Sequence, residues 1–193
     1  MLAIRCSETP FGEYIIASRD KDLRQVTGLH YSWQCGDSQP EKPTYEVNGA
    51  GFIDYKKVPS GRYSLTGHGY KFFYAQLLVG DGIDNIKGCP RMGPKKTVEL
   101  LGGLDDEKEL LEQCFFKYQQ HYDDPKAALI ENARLLYLLR DRSWLTEEKI
   151  NDTETMYHLK QFWEYKDESN TEHEPTSSSG TDDRDSEEGT AGG

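Results

Sequence analysis

Four aspartates and one basic, glycine-rich run carry most of the chemical potential of this 193-residue chain. Asp20 and Asp22 follow Glu13-Tyr-Ile-Ile-Ala-Ser18, a short, apolar, β-prone run that reads as a buried strand. In open α/β sheets, ligand sites gather at the carboxyl ends of strands. Two residues apart in extended chain, the two carboxylates point to the same side, and such a pair suits Mg²⁺ or Mn²⁺, which prefer hard oxygen donors. The same residues also suit an Asp cap on a short helical turn over Asp20–Gln25. Asp81 and Asp84 lie three residues apart, close enough to share one face of a helical turn. They too can serve as caps for backbone N–H groups.

Asp81 and Asp84 open the run Gly80 to Lys96, which contains Asn85, Lys87, Gly88, Arg91, Gly93, Lys95 and Lys96. Gly88 and Gly93 permit backbone shapes and close approaches that side chains forbid. Pro94 suits the first turn of a helix continuing through Thr97-Val-Glu-Leu-Leu101. The N–H groups and positive dipole end of that helix, beside two lysines, form a site for one phosphate. Phosphate contacts need N–H groups and Lys or Arg side chains, without base readout. The alternative is an ordinary turn between helices with solvated lysines.

The elements that must hold these groups are also legible. Met1–Ser7 reads as the end of a helix, Leu29–Trp33 as a second strand, and Gly36–Asn48 as a polar loop. Gly51–Val58 reads as an edge strand or hairpin turned by Pro59-Ser60-Gly61. Tyr70–Val79 is a helix with Phe73, Leu77 and Gly80 near one face, and Tyr70, Phe72, Phe73 and Tyr74 read as core rather than a base-stacking platform. Gly102-Gly103 ends the next helix. Asp105-Asp106-Glu107 begin another, with Leu111, Cys114, Phe115 and Tyr118 at helical spacing. Asp124-Pro125 begins a further helix with Ile130, Ala133 and Tyr137 on its apolar face. Thr146-Glu-Glu148 could cap a last helix, reaching Tyr165.

The net charge is −11, but Asp167–Gly193 holds nine acids against Arg184 alone, leaving −3 for the rest. A near-neutral body can carry a basic face. The tail composition predicts disorder, with a DNA mimic or docking arm as the functional alternative. Cys6, Cys35, Cys89 and Cys114 lie far apart without zinc spacing. With no signal peptide and no apolar run near the roughly 20 residues that span a bilayer, a cytoplasmic location is expected.

Together, Ile15-Ile-Ala-Ser-Arg-Asp-Lys-Asp-Leu-Arg-Gln25, then Gln76-Leu-Leu-Val-Gly-Asp-Gly-Ile-Asp-Asn-Ile-Lys-Gly88 and Gly93-Pro-Lys-Lys96, resemble the 5′→3′ exonuclease/flap endonuclease family. The resemblance is to a bacteriophage version or to the nuclease domain of bacterial DNA polymerase I, and covers residues 1–145. It implies an α/β fold: part of a Rossmann-like, PIN-like sheet over 1–64, a helix–hairpin–helix DNA-binding region over 65–146, and a terminal helix with a disordered acidic tail over 147–193. It implies that Asp20, Asp22, Asp81 and Asp84 are catalytic metal ligands for two Mg²⁺ or Mn²⁺ ions. Asn85, Lys87, Gly88, Arg91, Gly93, Lys95 and Lys96 would contact DNA, with K⁺ at the hairpin. Two departures stand out. Arg91-Met92-Gly93 replaces the family's Gly-hydrophobic-Gly, and the earlier Glu-x-Asp-Asp cluster is absent. The resemblance is thus to the C-terminal half of such a nuclease, completed by a separate N-terminal half, or to a DNA-binding module without full metal ligation.

Overall fold

The computed structural model describes residues 2–37 and 39–140. Helix α1 (Leu2–Ser7) leads into β1 (Ile15–Ala17), a 3-10 helix (Asp22–Gln25) and β2 (Gly28–Ser32). Strands β3 (Lys42–Val47), β4 (Phe52–Lys57) and β5 (Tyr63–His68) precede α2 (Tyr70–Val79). The two-residue strands β6 (Gly80–Asp81) and β7 (Ile86–Lys87) form a small ribbon, followed by α3 (Pro94–Leu101), α4 (Glu107–Gln119) and α5 (Pro125–Leu136). The fold is mixed α/β, as expected.

The sheets are small. Strand β1 lies parallel to β2, with Ile16 opposite His30, and β3 closes the other side antiparallel. Strands β4 and β5 form a separate hairpin in continuous register, from Phe52 opposite His68 to Lys57 opposite Tyr63. The expected division after residue 64 falls within β5.

Two readings need correction. Gly36–Asn48 is not all loop: Lys42–Val47 pairs with β2 and buries Val47 completely. Pro43 and the polar neighbours obscured the strand, but β3 is an edge strand, where a missing N–H is tolerated. Helix α2 does not bury a single face. Every residue from Lys71 to Leu78 is buried, because β4, β5, α3, α4 and α5 all pack around it. A helix buried all round loses the one-sided pattern that marks a surface helix.

The helix starts agree with their chemistry. Asp106 accepts the Glu109 N–H at 3.0 Å and Asp124 accepts the Ala127 N–H at 2.9 Å. Pro94 and Pro125 occupy first-turn positions. No helix among the described residues is long and apolar enough to cross a membrane. The expected last helix and acidic tail lie outside the described residues.

Candidate metal centre and nucleic-acid interface

Asp22, Asp81 and Asp84 each bring a carboxylate oxygen within 4.8 Å of the other two. They come from two directions. Asp22 opens the 3-10 helix after β1. Asp81 ends β6, and Asp84 lies in the turn to β7. Asn85 adopts a left-handed backbone at φ 57°, and Asp81 pairs with Ile86 across the ribbon. Asn and Asp enter that conformation more readily than most side chains do.

Hydrogen bonds fix both arms. On the first, the Asp20 N–H donates to Ser18 Oγ at 3.0 Å, and the Asp22 N–H donates to Asp20 Oδ1 at 3.0 Å. Asp20 therefore caps the turn that presents Asp22, and the trio leaves it out. On the second arm, the Ile83 N–H donates to Asp81 Oδ1 at 3.0 Å. A buried amide chain joins the arms to the helices. Gln76 Nε2 donates to Asp22 Oδ1 at 2.8 Å, while Gln25 Nε2 donates to Gln76 Oε1 at 2.9 Å and to the Leu136 carbonyl at 3.1 Å.

The carboxyls of half-buried Asp22 and buried Asp81 are tuned oppositely. Burial raises Asp22 above the usual carboxylate range, and the charges of Asp20 and Asp81 add to this, against the Gln76 hydrogen bond and the Lys21 charge. Burial also pushes Asp81 upward, but the Lys21 hydrogen bond and charge, with the Ile83 and Asp84 N–H groups, outweigh it and hold the carboxyl low. The Lys21 ammonium forms an ion pair with Asp81 Oδ2. One ammonium against three carboxylates leaves excess negative charge, and the donors are all hard oxygens. The trio therefore fits Mg²⁺ or Mn²⁺.

Lys21, Gln25 and Gln76 were not singled out from the sequence. Gln76 carried a usable signal: a glutamine inside an otherwise apolar helix must find a partner.

The basic run is anchored from below. Asn132 Nδ2 donates to the Lys87 carbonyl at 2.8 Å, Tyr122 Oη donates to the Gly88 carbonyl at 3.1 Å, and the Cys89 N–H donates to the Leu78 carbonyl at 2.9 Å. Side chains of Lys87, Arg91, Lys95 and Lys96 stay exposed. Gly88 fits against Gly80: a Cβ on Gly88 would stand 2.3 Å from the Gly80 nitrogen. Gly93 instead faces open space at the start of α3, with no side-chain cap over the helix end. Arg91 takes a left-handed backbone at φ 63°, so it adopts the conformation a glycine would favour there.

The geometry defines an acidic oxygen-donor cluster, followed in the chain by an exposed basic helix start, on an α/β scaffold. The chain is similar to DNA polymerase I of Rhizobium leguminosarum, at 29% identity over 131 residues, covering 68% of this chain and 12% of that protein. The chain thus spans about an eighth of that relative's length. No family model matches the chain, and no solved structure matches it.

Proposed function

We propose that this chain is a divalent-metal-dependent DNA nuclease that hydrolyses phosphodiester bonds from 5′ ends or flaps. The observation carrying the reading is the convergence of Asp22 with Asp81 and Asp84, more than fifty residues away in sequence, within 4.8 Å. The similarity to a DNA polymerase I supports DNA as the substrate class.

In this reading Asp22, Asp81 and Asp84 hold the metal, Mg²⁺ or Mn²⁺. Asp20 positions Asp22 through its backbone N–H. Gln76 orients the Asp22 carboxylate, and Lys21 balances part of the charge before metal binds. A divalent ion there supplies charge stabilisation for the phosphoryl group and lowers the pKa of water. Asn85, Lys87, Arg91, Lys95 and Lys96, with the backbone at Gly88 and Gly93, grip the DNA backbone at the start of α3. K⁺ at this hairpin belongs to the same reading.

A second reading is a DNA clamp without cleavage. It is favoured by the cluster's size: three carboxylates suit one ion, and a second ion needs acids from elsewhere. A separate polypeptide supplying them would complete a two-ion centre.

The test pairs metal binding with cleavage. Mn²⁺ should raise the melting temperature of the parent but not of Asp84→Asn, whose exposed position spares the fold. Cleavage of 5′-flap DNA should fall about a hundredfold or more in Asp84→Asn, the scale of losing one charge-stabilising group. Duplex binding without cleavage by the parent would select the clamp. Equal metal stabilisation of parent and variant would sink the metal assignment.

A further inference from the structure

The β4–β5 hairpin, which packs against α3, carries a second concentration of bases and aromatic rings. Between Lys42 and His68 the chain has four bases (Lys42, Lys56, Lys57, Arg62) and two acids (Glu46, Asp54), against the net negative charge of the whole. Lys56, Lys57, Arg62 and Tyr63 are all exposed. Among the described residues none of the three bases at the tip forms an ion pair. Asp54, the acid on this hairpin, accepts the Tyr55 N–H at 2.7 Å.

The tip is held in a defined shape. The Val58 N–H donates to the Arg62 carbonyl and the Gly61 N–H to the Val58 carbonyl, both at 2.8 Å. Lys57 lies opposite Tyr63 and Tyr55 opposite Leu65. Alternation therefore puts Tyr55, Lys57, Tyr63 and Leu65 on one face, and that face also carries Ile53, which sits in the main core. Tyr55 and Tyr63 meet edge to face at 5.2 Å, and Tyr63 remains 46% exposed.

Burial lowers the Lys42 ammonium, and the charges of Arg24, Lys56 and Arg19 lower it further. On the outer strand face, Phe52 meets His68 edge to face at 4.5 Å, with Phe52 51% exposed. Bases in excess over acids beside exposed rings, with no ion pair at the tip among the described residues, suit a polyanion whose unpaired bases offer π-faces. A protein partner of acidic character would use the charges but has no need of the ring pair.

We propose that the β4–β5 hairpin is a contact site for single-stranded nucleic acid, with Tyr63, backed by Tyr55, stacking on a base and Lys57, which lies opposite Tyr63 on the same face, and Arg62 beside it holding adjacent phosphates. This rests on the reading of the chain as a DNA-handling protein. It adds a strand-separated substrate segment to the duplex grip at α3.

Fluorescence anisotropy on the full chain tests it, using a labelled oligothymidylate and a labelled blunt duplex at one salt concentration. Lys57→Glu/Arg62→Glu should weaken oligothymidylate binding about tenfold or more while changing duplex binding less than about threefold. Tyr63→Ala should weaken oligothymidylate binding by a similar factor, and Tyr63→Phe should retain it. All these side chains are exposed, and an unchanged melting temperature checks the fold. Unaltered oligothymidylate binding in the variants overturns the proposal, as does an equal loss on both probes. Duplex binding without oligothymidylate binding by the parent overturns this site alone. Binding of neither overturns the DNA reading as well.

Discussion

The two apolar clusters of the molecule differ in size, and the acidic trio takes residues from both sides. Around α2, sixteen buried residues from β4 to α5 form one cluster. Beside β1, four buried residues (Ala3, Cys6, Ile16, Val26) form the other. Asp81 and Asp84 follow directly from α2 and inherit the rigidity of the large cluster. Asp22 follows β1 and depends on the small one. The Gln25–Gln76–Asp22 hydrogen bonds, the Lys21–Asp81 ion pair and the Gly69 N–H to the Arg24 carbonyl link the two sides. The difference teaches that the trio closes only while the small unit stays docked, so the metal site reports on a part of the fold with little apolar support.

Core truncation gives the largest effects. Leu77 is completely buried in the large cluster. Leu77→Ala should destabilise by about 4 kcal/mol, because closely packed neighbours cannot collapse into the space. Ile16 is 2% exposed in the small cluster. Ile16→Ala should lower stability by about 2 kcal/mol, the low end for this substitution, because a thin cluster relaxes more readily. Urea unfolding measures both. Ile16→Ala should nevertheless weaken Mn²⁺ binding more than Leu77→Ala does at denaturant concentrations where both remain folded. Equal losses in stability and in metal affinity would break the comparison.

The pH response divides the trio along the same line, with effects smaller than the core substitutions. Asp22 holds its proton more firmly in the folded chain than in the unfolded one. Its contribution is therefore most favourable below the ordinary carboxylate range and declines as pH rises through that range to the raised folded value. Without metal, Asp22→Asn should be more stable than the parent near neutral pH, and the gap should close on acidification. Asp81 runs the opposite way. Its low folded value contributes stability above the ordinary range, lost as pH falls through that folded value. Asp81→Asn should be the less stable variant near neutral pH and should approach the parent in acid. Thermal melts across pH, with and without Mn²⁺, check the signs. Added metal should erase the advantage of Asp22→Asn, because the variant has lost a ligand.

Legibility in the sequence followed the range of the forces involved. Elements set by local chemistry were readable: the acidic helix start at Asp105–Glu107, the cap at Asp124, the prolines at Pro94 and Pro125, and the bounds of α2 at Tyr70 and Val79. The pairing of Asp22 with Asp81 and Asp84 came from resemblance, since no local pattern links residues so far apart. Asp20 shows why spacing alone misleads. In extended chain it would point with Asp22, but the chain bends at once into a 3-10 helix, and Asp20 Oδ1 accepts the N–H of Asp22, the first residue of that helix. The β3 strand was hidden by Pro43 because edge tolerance depends on sheet order, a tertiary fact. Lys21 and Gln76 were invisible for the same reason, since their importance lies in partners from the other half.

The smallest predicted effect tests whether the basic run departs from the lowest-energy sequence for a reason. Arg91 sits at φ 63°, where a side chain is strained by about 1–2 kcal/mol and glycine is not. Glycine also loses more chain entropy on folding. Arg91→Gly should therefore stabilise the chain by about 0.5 kcal/mol net. The same change removes an exposed cation from the edge of the start of α3. Duplex affinity should fall, and the slope of log affinity against log salt should decrease by about one. A more stable variant that binds DNA less steeply would mean that strain at Arg91 is retained for phosphate contact. Higher stability with an unchanged salt slope would remove Arg91 from the interface and leave Lys87, Lys95 and Lys96 to carry the grip.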